Sequence, residues 1–182
     1  MRTLVLGGIR SGKSRWAEEL IARALSADET VRYLATGPAA DTDGAWASRV
    51  AEHRNRRPAH WSTVETHDIA TQLRQSPHCP TLIDDVGGWL TSTFDSLDAW
   101  EDGSVAGPVN DMLSAVGEFG APLVLVSPEV GLAVVPATAS GRRFADELGS
   151  LNQRLAAVCD QVVLVVAGQA VPIKAPITSP QT

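Results

Sequence analysis

Five short apolar runs rich in β-branched residues punctuate the chain: TLVL (residues 3–6), VRYLA (31–35), TLID (81–84), LVLV (123–126) and QVVLVV (161–166). Such runs, with little polar alternation, suit strands covered on both faces, where neither face meets water. Between them apolar residues recur three or four apart: Trp16, Leu20 and Ala24; Val109, Met112, Leu113 and Val116; Phe144, Leu148, Leu151, Leu155 and Val158. That spacing lines one side of a helix. STVE (62–65) predicts a further short strand, followed by a helix carrying Ile69 and Leu73. Strand and helix alternate, so the pattern predicts an α/β fold with a mostly parallel central sheet and helices on both faces. DAWEDGSVAGP (98–108) reads as an exposed loop and APITSPQT (175–182) as a flexible C-terminal tail, which leaves 1–174 as a single domain.

The turn after the first run carries chemistry. GGIRSGKS, residues 7–14, fits GxxxxGK[ST] and sits straight after a strand and at the opening of a helix, so the fold is P-loop NTPase-like. Gly7, Gly8 and Gly12 let backbone N–H groups converge on phosphate oxygens, with Ile9, Arg10 and Ser11 completing the loop. Lys13 can reach the β and γ phosphates, and Ser14 can ligate Mg²⁺. Such a site needs a carboxylate at the end of a neighbouring strand. TLIDD offers Asp84 and Asp85, which face opposite ways on a strand, and Asp84 is the expected partner of the metal.

Composition narrows the partners. With 182 residues, 44% of them hydrophobic, the chain can bury one substantial core. Fifteen Lys and Arg against 21 Asp and Glu give a net charge of -6, so no general basic field exists to attract nucleic acid. Any anion site must be local. Cys79 and Cys159 have neither CxxC nor metal-ligand spacing, which predicts reduced thiols and a cytoplasmic setting. No stretch approaches the roughly 18 apolar residues of a membrane span, and the first apolar run is too short for a signal-peptide core. Five tryptophans, Trp16, Trp46, Trp61, Trp89 and Trp100, are spread too widely for a stacking platform and read as packing residues.

RVAEHRNRRPAHW, residues 49–61, is the one strongly basic stretch. A helix over 45–56 would place Trp46, Val50 and His53 on one face, with Arg49 and Arg56 flanking the histidine and Pro58 ending the turn. Nearby cations keep an imidazole neutral and nucleophilic. From these residues alone two readings stand: a solvated basic face, or a histidine that attacks phosphorus. His60, His67 and His78 have no clustered partner.

The stretches GGIRSGKS, YLATG (33–37), RVAEHRNRRPAHWSTVE (49–65), LIDD (82–85), PEVGLAVVP (128–136) and LGSLNQRLAAVCDQVVLVVAG (148–168) together resemble a known family. It is that of the bifunctional adenosylcobinamide kinases/adenosylcobinamide-phosphate guanylyltransferases of the cobalamin pathway, and the match covers nearly the whole chain. The resemblance implies phosphorylation of a corrinoid hydroxyl by a nucleoside triphosphate, then GMP transfer from GTP through a guanylylated histidine. That histidine is His53, in the HxxxRP segment. The resemblance further implies nucleotide contacts from Gly7, Gly8, Ile9, Arg10, Ser11, Gly12, Lys13, Ser14, Ala35, Thr36, Gly37, Arg54, Asn55, Arg56, Arg57, Glu65 and Asp84. Ser14 and Asp84 would hold Mg²⁺, GTP and ATP would be substrates, and the enzyme would be a homo-oligomer, a trimer being one such assembly. The sequence departs from the family pattern at Glu52, at Val86, Gly87 and Gly88, where a hydroxyl-bearing residue is usual, and at Pro128, where asparagine commonly precedes Glu-Val-Gly. Two alternatives remain: a small-molecule kinase with another acceptor, in which His53 is structural, and a nucleotide-binding switch.

Overall fold

The computed structural model describes residues 1–26, 28–37 and 57–175. In chain order the elements are β1 (Arg2–Gly7), α1 (Lys13–Arg23), β2 (Arg32–Ala35), β3 (Ser62–Glu65), α2 (Ile69–Gln75), β4 (Thr81–Asp84), α3 (Val86–Ser96), α4 (Ala106–Glu118), β5 (Leu123–Pro128), α5 (Ala139–Val158), β6 (Gln161–Val166) and β7 (Gln169–Lys174). The strands form one seven-stranded sheet in the order β3-β2-β4-β5-β1-β6-β7. All neighbouring pairs are parallel except β6 with β7.

The apolar runs are explained by the two faces of this sheet. Leu4, Leu34, Ile83 and Leu125 point into a core shared with α2, α3, α4 and α5. Their chain neighbours Val5, Tyr33, Leu82 and Val124 point the other way, into a second core closed by Ala17 and Ile21 of α1. Successive residues of a strand alternate faces, so a strand covered twice must be apolar at nearly every position.

Three elements differ from the sequence reading. β7 is an antiparallel edge strand that the apolar pattern does not reveal. Its residues are mostly exposed and it contains Pro172, which an edge strand tolerates. α3 begins with two glycines near its start, a breaker signal that conceals it; Asp85 starts it by accepting a hydrogen bond from the Gly88 N–H at 2.9 Å. The stretch 98–108 is not simply an exposed loop. Ala99 and Val105 are buried, Trp100 stacks on Phe94 with ring centroids 4.6 Å apart, and α4 already begins at Ala106. Pro108 sits in its first turn, where a missing N–H costs nothing. The predicted helix over 45–56 and residues 176–182 of the predicted tail lie outside the described residues.

The topology also fixes where a ligand can sit. The chain leaves β1 for one side of the sheet and, after β5, crosses to β6 on the other side. Connections departing in opposite directions open a crevice at the carboxyl ends of the strands, and the phosphate-loop motif lies there.

Candidate nucleotide site

Residues 7–14 form a cradle whose geometry only particular residues allow. A Cβ at Gly7 would collide with Ser11 Oγ and lie 2.7 Å from the carbonyl oxygen of Val165. Gly12, with φ at 91°, occupies the left-handed region that glycine enters freely, and it stands at the start of α1 with no side-chain cap. The first turn of α1 therefore points its N–H groups and partial positive charge at the loop. Ser11 Oγ is buried without a hydrogen-bond partner among the described residues. Such a group asks for a ligand oxygen, so the cradle fits a phosphate. Lys13 Nζ donates to the Gly8 carbonyl at 3.2 Å. Burial lowers its pKa, while the charges of Asp84 and Asp85 oppose that shift.

The acidic wall stands opposite. Ser14 Oγ donates to Asp84 Oδ1 at 3.2 Å, and the Tyr33 hydroxyl donates to Asp84 Oδ2. Asp85, at φ 73°, turns instead to cap α3, and burial pushes its carboxyl above the ordinary value. Tyr33 is 2% exposed, and burial, followed by the Asp84 charge, raises its phenol well above the ordinary value of 10.0. The Arg57 guanidinium lies 3.9 Å from the centre of the Tyr33 ring and donates to Thr63 Oγ1 at 2.8 Å.

Among the described residues the structure thus brings together the loop, Asp84 and Arg57. Thr36 is fully buried, its hydroxyl shared between the carbonyls of Asp84 (2.7 Å) and Asp85 (2.6 Å), so it holds the strand end and its side chain does not face ligand. Ala35 ends β2, and Glu65 is its register partner at the exposed end of β3. Gly37 packs against Gly88. His53, Arg54, Asn55 and Arg56 lie outside the described residues.

Two contributors were not anticipated. One is Tyr33, whose signal was a lone hydroxyl inside a buried apolar run, since a buried phenol needs an acceptor. The other is the turn at Ala167 and Gly168, both at positive φ, whose Gly168 N–H donates to the Ser11 carbonyl at 2.8 Å and props the cradle. No local sequence feature pairs that turn with residue 11.

No group of three or more His, Cys, Asp or Glu side chains able to hold a metal exists among the described residues. The hard oxygens of Ser14 and Asp84 instead suit a cation that takes its remaining ligands from phosphates and water, the habit of Mg²⁺. No helix among the described residues is long and apolar enough to cross a membrane.

A mainly parallel sheet with a phosphate cradle after its first strand and a carboxylate beside the cradle serine defines the P-loop NTPase-like class. A solved ATPase domain shares this fold, with a TM-score of 0.57 at 10% identity over 98% of this chain and 78% of that one. The family model described as CobU, cobinamide kinase / cobinamide phosphate guanyltransferase, matches residues 3–173, and the chain belongs to that family. Its relatives include the bifunctional adenosylcobalamin biosynthesis protein CobP of Pseudomonas aeruginosa, 42% identical over 177 residues, covering 96% of this chain and 98% of the relative. The corresponding protein CobU of Salmonella typhimurium is 36% identical over 187 residues, covering 96% of this chain and 100% of the relative.

Proposed function

We propose that this chain is a bifunctional transferase that phosphorylates cobinamide, in its adenosylated form, and then transfers GMP to the phosphorylated product. The observation that carries the reading is the cradle with its paired Ser14 and Asp84, in a chain of this family. In the first reaction the substrate hydroxyl oxygen bonds to the γ-phosphorus of a nucleoside triphosphate. The bridging β–γ P–O bond breaks, nucleoside diphosphate leaves, and the hydroxyl proton is released. Lys13 and the N–H groups of residues 7–14 hold the phosphates, and Mg²⁺ held by Ser14 and Asp84 would supply neutralising charge.

In the second reaction a ring nitrogen of His53 attacks the α-phosphorus of GTP, the α–β P–O bond breaks and pyrophosphate leaves. A phosphate oxygen of the phosphorylated substrate then attacks that phosphorus, and the P–N bond breaks. Splitting the transfer lets each displacement occur at a positioned centre. Arg57, which closes the HxxxRP segment, rests on Tyr33 and so ties the end of that segment to the Asp84 wall. Ala35, Thr36, Gly37, Arg54, Asn55, Arg56 and Glu65 complete the nucleotide contacts in this reading, Thr36 through its main chain. The enzyme acts as a cytoplasmic homo-oligomer, for which the exposed apolar side chains Leu132, Val134 and Val135 offer contact surface.

The test is incubation with Mg²⁺ and GTP labelled at the α-phosphate, quenched at alkaline pH because a phosphoramidate is acid-labile. Label stays on the protein, His53→Asn loses it, and phosphorylation of cobinamide survives in that variant. Label retained in His53→Asn would remove the histidine from its role. Turnover of another alcohol with none of cobinamide would favour a kinase with a different acceptor.

A further inference from the structure

Beside the cradle lies a groove of about 400 Å³ lined among others by Asp85, Gly87, Thr91, Asp95, Pro128 and Phe144. Pro128 ends β5 and is the register partner of Gly7, so the groove opens one strand spacing, about 4.8 Å, from the phosphate loop. Asp85 stands at the junction, close enough to Lys13 for each to shift the other's pKa. The floor depends on two glycines. A Cβ at Gly87 would lie 2.6 Å from Pro128 Cγ, and one at Gly88 would lie 2.7 Å from Asp85 Oδ2 and 3.2 Å from Gly37 Cα. Any larger residue there would displace the wall.

The lining chemistry differs sharply from that of the cradle. Asp85 and Asp95 contribute carboxylates, Thr91 a hydroxyl, and Pro128 and Phe144 apolar surface, with no Lys or Arg among the described lining residues. The nearest arginine in sequence, Arg143, is turned away and donates to the carbonyls of Glu101 and Gly103. A phosphate placed in the groove would meet the like charges of Asp85 and Asp95 and no cationic side chain among the described lining residues. A neutral aliphatic alcohol would find carboxylate and hydroxyl acceptors at its polar end and apolar walls along its methylenes.

We infer that this groove is the subsite for the hydroxyl-bearing arm of the unphosphorylated acceptor, and that its acidic lining rejects the same arm once it is phosphorylated. The inference rests on the transferase reading above and adds to it which residues receive the acceptor. Its volume admits a short chain and not a macrocycle, so the bulk of a corrinoid stays outside. Phosphorylation then changes the arm from a ligand the groove favours to one it repels, which clears the subsite and hands the product to the guanylyl-transfer step.

Two variants test it in the full-length protein. Thr91→Phe fills the groove from α3. Asp85→Asn removes the charge while keeping both duties of the aspartate, because asparagine caps helices and tolerates the left-handed region. Equilibrium binding of cobinamide, of cobinamide phosphate and of nucleotide is measured for each, beside steady-state phosphorylation. Thr91→Phe is expected to weaken cobinamide binding and raise its KM about tenfold or more, with nucleotide and cobinamide phosphate affinities held within about twofold. Asp85→Asn is expected to weaken cobinamide and to strengthen cobinamide phosphate. Unchanged cobinamide affinity in both variants, or an equal loss of both corrinoids in Thr91→Phe, would overturn the assignment. Failure of the parent enzyme to bind and phosphorylate cobinamide would instead overturn the transferase reading, which keeps the two failures distinct.

Discussion

Tyr33 is the only tyrosine in the chain, so its ionisation can be watched alone. It is 2% exposed, its hydroxyl donates to the Asp84 carboxylate, and among the described residues it is the Arg57 guanidinium over its ring that favours the phenolate. Burial and the adjacent carboxylate therefore hold its folded pKa well above 10.0. A raised pKa means the neutral form is favoured by folding, so this contribution is fully present below the unfolded pKa. It is lost as pH rises from the unfolded value towards the folded one. With one proton at stake and 1.36 kcal/mol per pH unit, the loss reaches about 1.4 kcal/mol one unit above the unfolded pKa. The assay is absorbance at the tyrosinate band during an alkaline titration, in buffer and in denaturant, with denaturant melts at each pH. In denaturant the transition centres near 10, while in buffer it is delayed until the protein unfolds. Tyr33→Phe keeps the ring under Arg57, costs about 1–3 kcal/mol at neutral pH by removing the hydroxyl that donates to the Asp84 carboxylate, and shows no such alkaline term. A folded-state transition near 10, or an unchanged alkaline loss in Tyr33→Phe, would refute the buried Tyr33–Asp84 pair.

Further outcomes follow from other contacts. Lys13→Ala should abolish nucleotide binding in equilibrium titrations and both transfer activities, because one cradle serves each nucleotide; retained phosphorylation would reveal a second site. Gly87→Ser should destabilise by roughly 1–3 kcal/mol through collision with Pro128, and Gly87→Ser combined with Pro128→Ala should recover most of that in melts. Asp160 accepts from the Arg2 guanidinium at 3.0 Å and from its backbone N–H at 2.7 Å, which holds the carboxyl below 3.8. A depressed carboxyl stabilises above its unfolded pKa, so Asp160→Asn should cost roughly 0.5–1 kcal/mol at neutral pH, a partly exposed pair being screened. The deficit should close as pH falls through the folded value.

Much of the fold was legible because sheet burial writes itself into consecutive residues. The runs at 81–84 and 161–166 coincide with the bounds of β4 and β6, since an apolar strand between two helical layers has few polar positions to blur its ends. β7 escaped because an edge strand buries little, and α3 because glycines stand where a helix former would be expected. The cradle was legible for a different reason. Its glycines, lysine and serine are needed in a fixed spacing by one short loop, so the whole requirement lies within eight residues. What surrounds it does not. The Tyr33 hydroxyl, the Thr36 hydroxyl and the Gly168 N–H meet their partners across 51, 48 or 49, and 157 residues of chain, and local spacing carries no trace of such pairings.

Gly87 and Pro128 show the same limit from the other side. In the sequence they stand 41 positions apart and read as unrelated. In the structure they are a single contact, because the proline ring occupies the space that a Cβ at position 87 would need. The ring therefore requires the missing side chain at 87, and together they shape the wall of the groove beside Asp85. Asp85 holds the first turn of α3 in place through Gly88, whose own lack of a side chain admits the carboxylate. The glycines that hid this helix from the sequence pattern are thus the residues that let a proline, a carboxylate and Gly37 converge at the mouth of the phosphate site.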